Sequence, residues 1–506
     1  MKNNRRAFLE KALLITGGAV VSACSSNPKE PLPCIEPKEP RKDPSIPTPV
    51  TSSLPDGLYE TFFALHNPKP LALESLRSSI GMSPITSTKR LFVRNNLPRP
   101  SEDIVAKREE WNLDIKGVHN PTSFTLARLQ QMGIESITAV LQCSGNGRAF
   151  FTHGPSGSPW KTGAAGCVVW TGVPLSKVFA ACGGVLPEMK YLTATGGEPL
   201  PEDVPREKSI VERSIPIEKA LNDCLLAWEL NGEPISVIHG GPLRLVVPGY
   251  FGCNQIKYVN AIAATLDQTQ AKIQQSGYRF RPIGEKGNSN QPSMWRMPVK
   301  SWIVDNISNP TEKQHTFYGV AFSGERGISK VEYSTDGLSW LTSELYGPDL
   351  GVHAWRCFRV QINAETAPSI MYTRATDTQG EVQPKERVEN ERGYGNNSWL
   401  DHVFSTHDHE RSLTDNHETI ISKEQQERGR NVFIQEATPS CGTCHTLSDA
   451  QTTGQIGPNL DQLKPTAIRV QRALENGVGA MPSYSNQLSK EQIEDVARYV
   501  SHITKQ

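Results

Sequence analysis

The chain has 506 residues, and its 53 Lys and Arg balance 53 Asp and Glu to a formal net charge of zero. That length allows about three domains, and zero net charge excludes the long-range attraction that would draw the chain to nucleic acid or to anionic membrane surfaces. Hydrophobic residues at 37% supply a core, while ten cysteines leave disulfides, metal ligands and cofactor attachment all open.

Residues 1–23 read as an export signal. Lys2, Arg5 and Arg6 give a basic start, and Ala12–Ala23 is an apolar run of twelve residues, too short to span a bilayer but sufficient for a signal core. Asn4-Arg5-Arg6-Ala7-Phe8-Leu9 resembles a twin-arginine signal, which exports folded proteins and so suits an enzyme that acquires its cofactor in the cytoplasm. Val21-Ser22-Ala23-Cys24 resembles a bacterial lipobox, which would make Cys24 the lipid anchor of a membrane-tethered periplasmic protein. An ordinary secretory signal with an incidental cysteine is the alternative. Residues 24–55 follow as a tether: Ser25–Pro55 holds nine prolines and few large apolar residues. Such a segment stays extended, at about 3.1 Å per residue. Cys34 within it is incidental.

Three compositional zones follow. Residues 56–285 mix short strand-like runs with helical stretches, among them Ile217 continuing to Leu230, an α+β pattern. Residues 286–404 change to short alternating strands: Val331-Glu332-Tyr333 precedes the hairpin dipeptide Asp336-Gly337, and Phe358–Ile362 alternates again. That zone reads as a β-sandwich. Residues 405–420 form a polar linker. His402, His407, His409 and His417 cluster around it, but their spacing follows no metal motif and linker is the better reading. From 421 to 506 the period is helical. Ser422 with Gln425, and Ser489 with Gln492, match the capping-box pattern, and Ile493, Val496, Ala497 and Val500 make the last helix amphipathic.

Cys441-Gly442-Thr443-Cys444-His445 has the spacing that attaches c-type haem. Two thiols three residues apart reach the two vinyl groups of one haem, and the adjacent His can coordinate iron. With Ile456-Gly457-Pro458-Asn459-Leu460 and Met481 in Ala480-Met481-Pro482, this segment resembles class I cytochrome c. The resemblance implies thioether anchors at Cys441 and Cys444, His445 as proximal ligand and Met481 as distal ligand. It also implies a crossing of the first and last helices at Gly429, Phe433 and Tyr499. A Met/His pair raises the iron potential, which suits an acceptor of electrons.

A cytochrome joined to a larger body needs a source of electrons. Leu141-Gln142-Cys143-Ser144-Gly145-Asn146-Gly147-Arg148 sets a thiol among turn-forming residues, and a thiolate is a soft ligand for a transition metal. Four further runs are ordered around it: Val93–Pro98, Trp170–Leu175, Arg213–Pro216, and His239–Arg244 leading to Pro248-Gly249-Tyr250. Together they resemble the sulfite oxidase family of molybdopterin enzymes, bacterial sulfite dehydrogenases in particular, from about residue 85 to 400. Arg374-Ala375-Thr376-Asp377 and Val382-Gln383-Pro384 echo that family's second domain.

The resemblance implies three modules: an α+β molybdopterin-binding domain, an immunoglobulin-like β-sandwich through which relatives form homodimers, and an all-α cytochrome c domain. It makes Cys143 the molybdenum ligand, places Arg94, Arg148 and Trp160 in the substrate pocket, and gives His239, Arg244 and Lys257 to the pterin. The reaction it implies is oxygen-atom transfer to sulfite, with electrons leaving singly through haem c to a soluble cytochrome c or another acceptor. Another sulfur compound, such as a sulfane intermediate or a sulfoxide, is the alternative substrate; a tethered electron carrier with a non-catalytic scaffold is the alternative class. Two departures point toward another substrate. Leu266–Gln275 lacks the family's pocket tyrosine, with Tyr278 falling too late. Asp401 and His402 stand where an arginine is expected, which would weaken anion binding or make it pH-dependent. Cys167, Cys182, Cys224, Cys253 and Cys357 are expected as buried thiols, with a Cys167–Cys182 or Cys224–Cys253 disulfide as the alternative.

Overall fold

The computed structural model describes residues 62–309, 311–405, 421–465, 467–478 and 480–504. The export signal, the tether with Cys24 and Cys34, and His407, His409 and His417 of the linker lie outside the described residues.

Two sheets build the first module. β1 (Glu135–Gln142) pairs antiparallel with β2 (Ala165–Pro174), placing Gln142 opposite Ala165. β2 continues to β3 (Leu225–Leu230), which also pairs with β4 (Arg244–Val246). β2 has partners on both sides, and most of its residues, Trp170 included, are buried, so its near-continuous apolar run is that of a central strand rather than an alternating one. The second sheet orders Thr122–Thr125, Asn112–Lys116, β5 (Val259–Thr265), Tyr191–Gly196 and Glu212–Pro216, with β5 parallel to Asn112–Lys116. The helix expected from Ile217 to Leu230 stops early: α1 spans Ile217–Asp223, and Leu225–Leu230 is β3. A six-residue apolar run carries no period of its own, so pairing with β2 and β4 decides it.

The sandwich is two four-stranded sheets. β6 (Lys300–Asn309), β7 (Gln314–Phe322) and β9 (Arg356–Asn363) form one with an edge at Glu344–Tyr346. β8 (Ile328–Ser334) and β10 (Ile370–Asp377) form the other, edged by Leu341–Thr342 and Phe404–Ser405. Asp336-Gly337 does start a hairpin. The Asp336 carboxylate accepts from the Leu338 and Ser339 amides, and the chain pairs back onto β8 at Leu341. Between the sheets lie Ile303, Phe317, Phe358 and Met371. A second apolar cluster joins the sandwich to the back of β1 and β2: Trp302 and Trp355, centroids 6.5 Å apart at 84°, pack with Val140 and Cys167. Full burial of each such side chain is worth about 1.5–3 kcal/mol, so the sandwich braces β1, the strand that leads into Cys143.

The last module holds α2 (Lys423–Asn431), a single helical turn at Cys441–Cys444, α3 (Ala467–Asn476) and α4 (Lys490–Ile503). Ser422 caps α2 through the Gln425 amide, and Ser489 with Gln492 makes the full reciprocal box on α4. Ile493, Val496, Ala497 and Val500 are buried. α2 and α4 cross where expected, with Phe433 and Tyr499 edge to face at 6.3 Å, and the Asp495 carboxylate receives Gln425 Nε2 and Arg428 Nε.

No disulfide joins the described cysteines. Cys167, Cys182, Cys224 and Cys357 are buried thiols and Cys253 is half-buried; burial pushes the Cys167 thiol up to about 12.

The crossing generates a prediction. A Cβ at Gly429 would lie 2.4 Å from the Asp495 carbonyl and 2.5 Å from Tyr499 Cβ. Gly429→Ala therefore separates α2 from α4 and destabilises the haem module by about 1–3 kcal/mol, read as a lower thermal midpoint of the haem absorbance. An unchanged midpoint refutes the close crossing.

Candidate active site

Cys143 follows the last residue of β1, and its amide donates to the Ala164 carbonyl at 2.9 Å. The next residues turn sharply: Asn146 N donates to Cys143 O, and Arg148 N to Gly145 O. Asn146 locks the turn, giving Nδ2–H to Gln142 and taking the Ala164 amide on Oδ1. The turn exists to seat Arg148. Its Nε donates to the Arg392 carbonyl at 2.8 Å and Nη1 to the Ser158 carbonyl at 2.7 Å, and a Cβ at Gly145 would lie 2.3 Å from its guanidinium. Burial lowers the Arg148 pKa, a direction that an anion alongside would oppose.

Cys143 stands where two chambers meet. One, of about 200 Å³, is walled by Arg94, Cys143, Arg148, Tyr278, Arg392 and Tyr394. Tyr278 and Tyr394 stack with centroids 5.4 Å apart, and the Arg148 and Arg392 guanidiniums lie 5.3 and 5.7 Å from the Tyr394 centroid. Burial pushes the Tyr278 phenol up, against the opposing charge of Arg94. The hydroxyl keeps its proton and donates to Asn96 Oδ1 at 3.3 Å.

The other chamber is lined by Cys143, Glu198, His239, Arg244, Lys257 and Tyr278 among others. Lys257 Nζ donates to Asn95 Oδ1 and the Ile238 carbonyl at 2.8 and 2.6 Å. Arg244 Nη1 donates to the His239 carbonyl at 2.6 Å, and its guanidinium lies 5.0 Å from the Trp170 centroid. Burial first, then Lys257 and Arg244, hold His239 down at about 3, so the ring is neutral at pH 7. Burial also brings Arg244 to about 10, depresses Lys257 strongly, and raises Glu198 to about 7. His239 Nε2 and Arg244 Nε are buried without a hydrogen-bond partner. The Arg244 Nε–H donor, set beside desolvated cations, is costly unless an anionic group satisfies it, and a phosphorylated pterin with its metal at Cys143 has that chemistry. The residues fit the group.

The structure brings Arg94, Cys143 and Arg148 together, and His239, Arg244 and Lys257 together. Trp160 departs from its expected place: it is fully buried behind the site, 4.9 Å from His66 and 6.3 Å from Phe92 by ring centroid, and lines neither chamber. Both supposed gaps in the pocket are filled. A widened turn at Ile273–Gly277, closed by Tyr278 N to Ile273 O, returns Tyr278 to the Cys143 wall. The cation from the second module is Arg392, not a residue at 398–403. Gly395 N donates to Ser144 O and Asn396 Nδ2 to Gly147 O, so Arg392 is drawn against the Cys143 turn. Asp401 instead pairs with Arg387, and buried His402 gives Nδ1–H to the Ser398 carbonyl. The glycine-broken run Glu391-Arg392-Gly393-Tyr394-Gly395 was the available signal.

In the last module a cavity of about 550 Å³ is walled by Cys441, Cys444, His445, Met481, Phe433 and Leu474, among others. His445 is buried, and its Nδ1–H donates to the Pro458 carbonyl at 2.9 Å, which leaves Nε2 as the ligating nitrogen. A Cβ at Gly457 would lie 2.4 Å from the imidazole, so only glycine lets the Ile456–Leu460 segment reach it. Paired thiols, an oriented imidazole and a thioether around one apolar cavity fit haem c.

Residues 98–273 match the family model "Oxidoreductase molybdopterin binding domain", 291–406 match "Mo-co oxidoreductase dimerisation domain", and 424–500 match "Cytochrome C oxidase, cbb3-type, subunit III". The chain is 30% identical over 363 residues to "Sulfite oxidase" of Arabidopsis thaliana, covering 65% of this chain and 91% of that one. The chain belongs to the sulfite oxidase family. It is also 30% identical to the mitochondrial sulfite oxidase of Drosophila melanogaster, covering 61% of this chain and 57% of the fly protein's length. The solved structure titled "Crystal Structure of the Sulfane Dehydrogenase SoxCD from Paracoccus pantotrophus" matches with a TM-score of 0.57 and 26% identity, covering 70% of this chain and 92% of that one. The protein is thus a sulfite dehydrogenase-like molybdopterin oxidoreductase, with molybdopterin and haem c as its cofactors. Beyond its molybdopterin-binding domain lie a sheet-rich domain and a small helical cytochrome.

Removing the cation supplied by the second module tests the pocket. Arg392→Gln keeps the backbone carbonyl that holds Arg148 but loses a charged donor worth about 1.5–3 kcal/mol. KM for the oxyanion should rise about tenfold to a hundredfold, with a smaller change in kcat. Unchanged KM removes Arg392 from the anion site.

Proposed function

We propose that this protein oxidises sulfite to sulfate at a molybdenum centre held by the Cys143 thiolate and sends the electrons one at a time through its own haem c to an external cytochrome or other carrier. The observation that carries this reading is a shared wall. Arg94, Asn96, Gly157, Lys272, Val478 and Ser483 line both the haem cavity and the Cys143 chamber, so the two redox sites are neighbours. Bound molybdopterin supplies oxygen-atom chemistry and stores an electron pair. The chain's own residues do the rest. Arg94, Arg148 and Arg392 bind and orient a small oxyanion through guanidinium forks, and Tyr278, neutral at any working pH, offers a hydroxyl. His239, Arg244 and Lys257 hold the pterin and its phosphate. Cys441 and Cys444 anchor the haem, with His445 and Met481 as its axial ligands. Trp160 acts from behind, as packing under the Cys143 turn.

The SoxCD likeness favours a second reading, a sulfane substrate. Glu475, Gly477, Val478 and Ser483 of the haem module line the Cys143 chamber, and a chamber narrowed by a second module suits a small free anion better than a large carrier-bound one. Mixing the holoprotein with sulfite without oxygen decides between them. The haem should turn ferrous, with sulfate formed and molybdenum present. Molybdenum present with a ferric haem after sulfite refutes the sulfite reading.

The protein acts in the periplasm, tethered through lipid on Cys24, and the dimerisation-domain match supports a homodimer. Expressed in a bacterium, the wild-type chain should fractionate with membranes and Cys24→Ser with the soluble periplasm. Equal distribution of the two refutes the anchor.

A further inference from the structure

The loop that carries Met481 is held from outside its own module. Within the loop, Met481 N donates to the Val478 carbonyl at 3.0 Å, and Val478 N returns to the Met481 carbonyl at 3.2 Å. That Met481 carbonyl also receives Lys272 Nζ at 2.8 Å. Lys272 belongs to the molybdopterin-binding module, directly before the widened turn that sets Tyr278. Four residues before Met481, the Gly477 carbonyl receives Arg392 Nη1 at 3.3 Å. Lys272 lines both the haem cavity and the Cys143 chamber, so a single ammonium group stands between the two redox sites and grips the backbone of one of them.

We propose that Lys272 is a positioning residue for the haem: by holding the Met481 carbonyl it keeps the thioether seated on the iron, so axial ligation and haem potential depend on contact with the catalytic body. This rests on the reading of Met481 as the distal ligand. Two effects of Lys272 act in the same direction. A charge-assisted hydrogen bond restricts the loop that presents the sulfur, and methionine ligation raises the potential. A positive charge beside the haem also favours the ferrous form, which carries one positive charge fewer. A cytochrome module detached from the body would accordingly be a poorer electron acceptor than the docked one.

The test uses the full-length holoprotein and two readouts other than turnover: the haem midpoint potential, and the long-wavelength absorption band of a methionine–ferric haem pair. Lys272→Met keeps the aliphatic stem and removes the charge, and Lys272→Gln provides a second variant should the first fold poorly. Either should weaken the band and shift the haem toward the ferric form by about tenfold, equivalent to about 59 mV for one electron. Lys272→Arg should restore both. Lys286→Gln is the control: Lys286 Nζ also reaches the haem module from outside it, at Ser485 Oγ, 3.0 Å, with no hydrogen bond to Met481, and this variant should keep the band. If both Lys272 variants leave band and potential unchanged, the proposal is wrong. Equal changes in Lys286→Gln would assign the effect to docking in general and also overturn it. If wild-type protein lacks the band, the reading of Met481 as ligand fails first, a result distinct from either of these.

Discussion

Arg148 and its neighbours impose the demand that the rest of the molecule answers. A guanidinium moved out of water into a closed pocket loses several kcal/mol of solvation, even after relaxation. Here Arg148, Arg392, Arg94 and Lys272 converge on one small chamber of a chain whose net charge is zero. The structure offsets part of that cost with oxygen acceptors. Arg148 is bound by two carbonyls, Lys272 by one, Arg392 by one, and aromatic faces lie beside Arg148 and Arg392. None of these acceptors carries a charge, and the cations lining the chamber outnumber its one carboxylate, Glu475, so the pocket remains positive. Neutralising the same cations with carboxylates would have made a more comfortable fold and a worse binding site.

That demand explains why three modules meet at one place. The Arg392 carbonyl that fixes Arg148 comes from the chain beyond the sandwich strand β10, while the Arg392 side chain reaches the Gly477 carbonyl of the haem module. The second module therefore supplies an oxygen for the first module's cation, and the haem module supplies one for the second's. The Trp302 and Trp355 cluster behind β1 and β2 provides the stiffness this needs, because a pocket of buried charges tolerates little displacement before its hydrogen bonds fail.

Legibility from sequence follows how local each constraint is. The haem module was readable because its chemistry is contiguous: two thiols and an imidazole within five residues, and caps at Ser422 and Ser489 that act over three residues. The turn at Cys143 was readable for the same reason. Tyr278 and Arg392 were not. Tyr278 depends on one widened turn that changes where the chain emerges, and Arg392 is brought in by contacts of Gly395 and Asn396 to a turn some 250 residues earlier in sequence. Trp160 failed differently. A tryptophan near a pocket motif looks like a wall, but its apolar area is better used in the core. β3 failed because Leu225–Leu230 is apolar throughout, and only its neighbours distinguish strand from helix.

The junction between haem and catalytic body has its own physical logic. Among the described residues, hydrogen bonds that cross it from Lys272, Arg392, Lys286 and Lys69 run from cations to neutral oxygens. Such contacts pay less desolvation than a buried ion pair would, and breaking them leaves no stranded carboxylate on the haem side. A junction of this kind holds the haem cavity against the Cys143 chamber at a smaller desolvation cost. Glu475, Gly477, Val478 and Ser483 of the haem module line the Cys143 chamber itself, so the junction is also part of that chamber's wall. Ion pairs here would cancel the chamber's cations, whereas carbonyl acceptors hold the modules together and leave those charges in place.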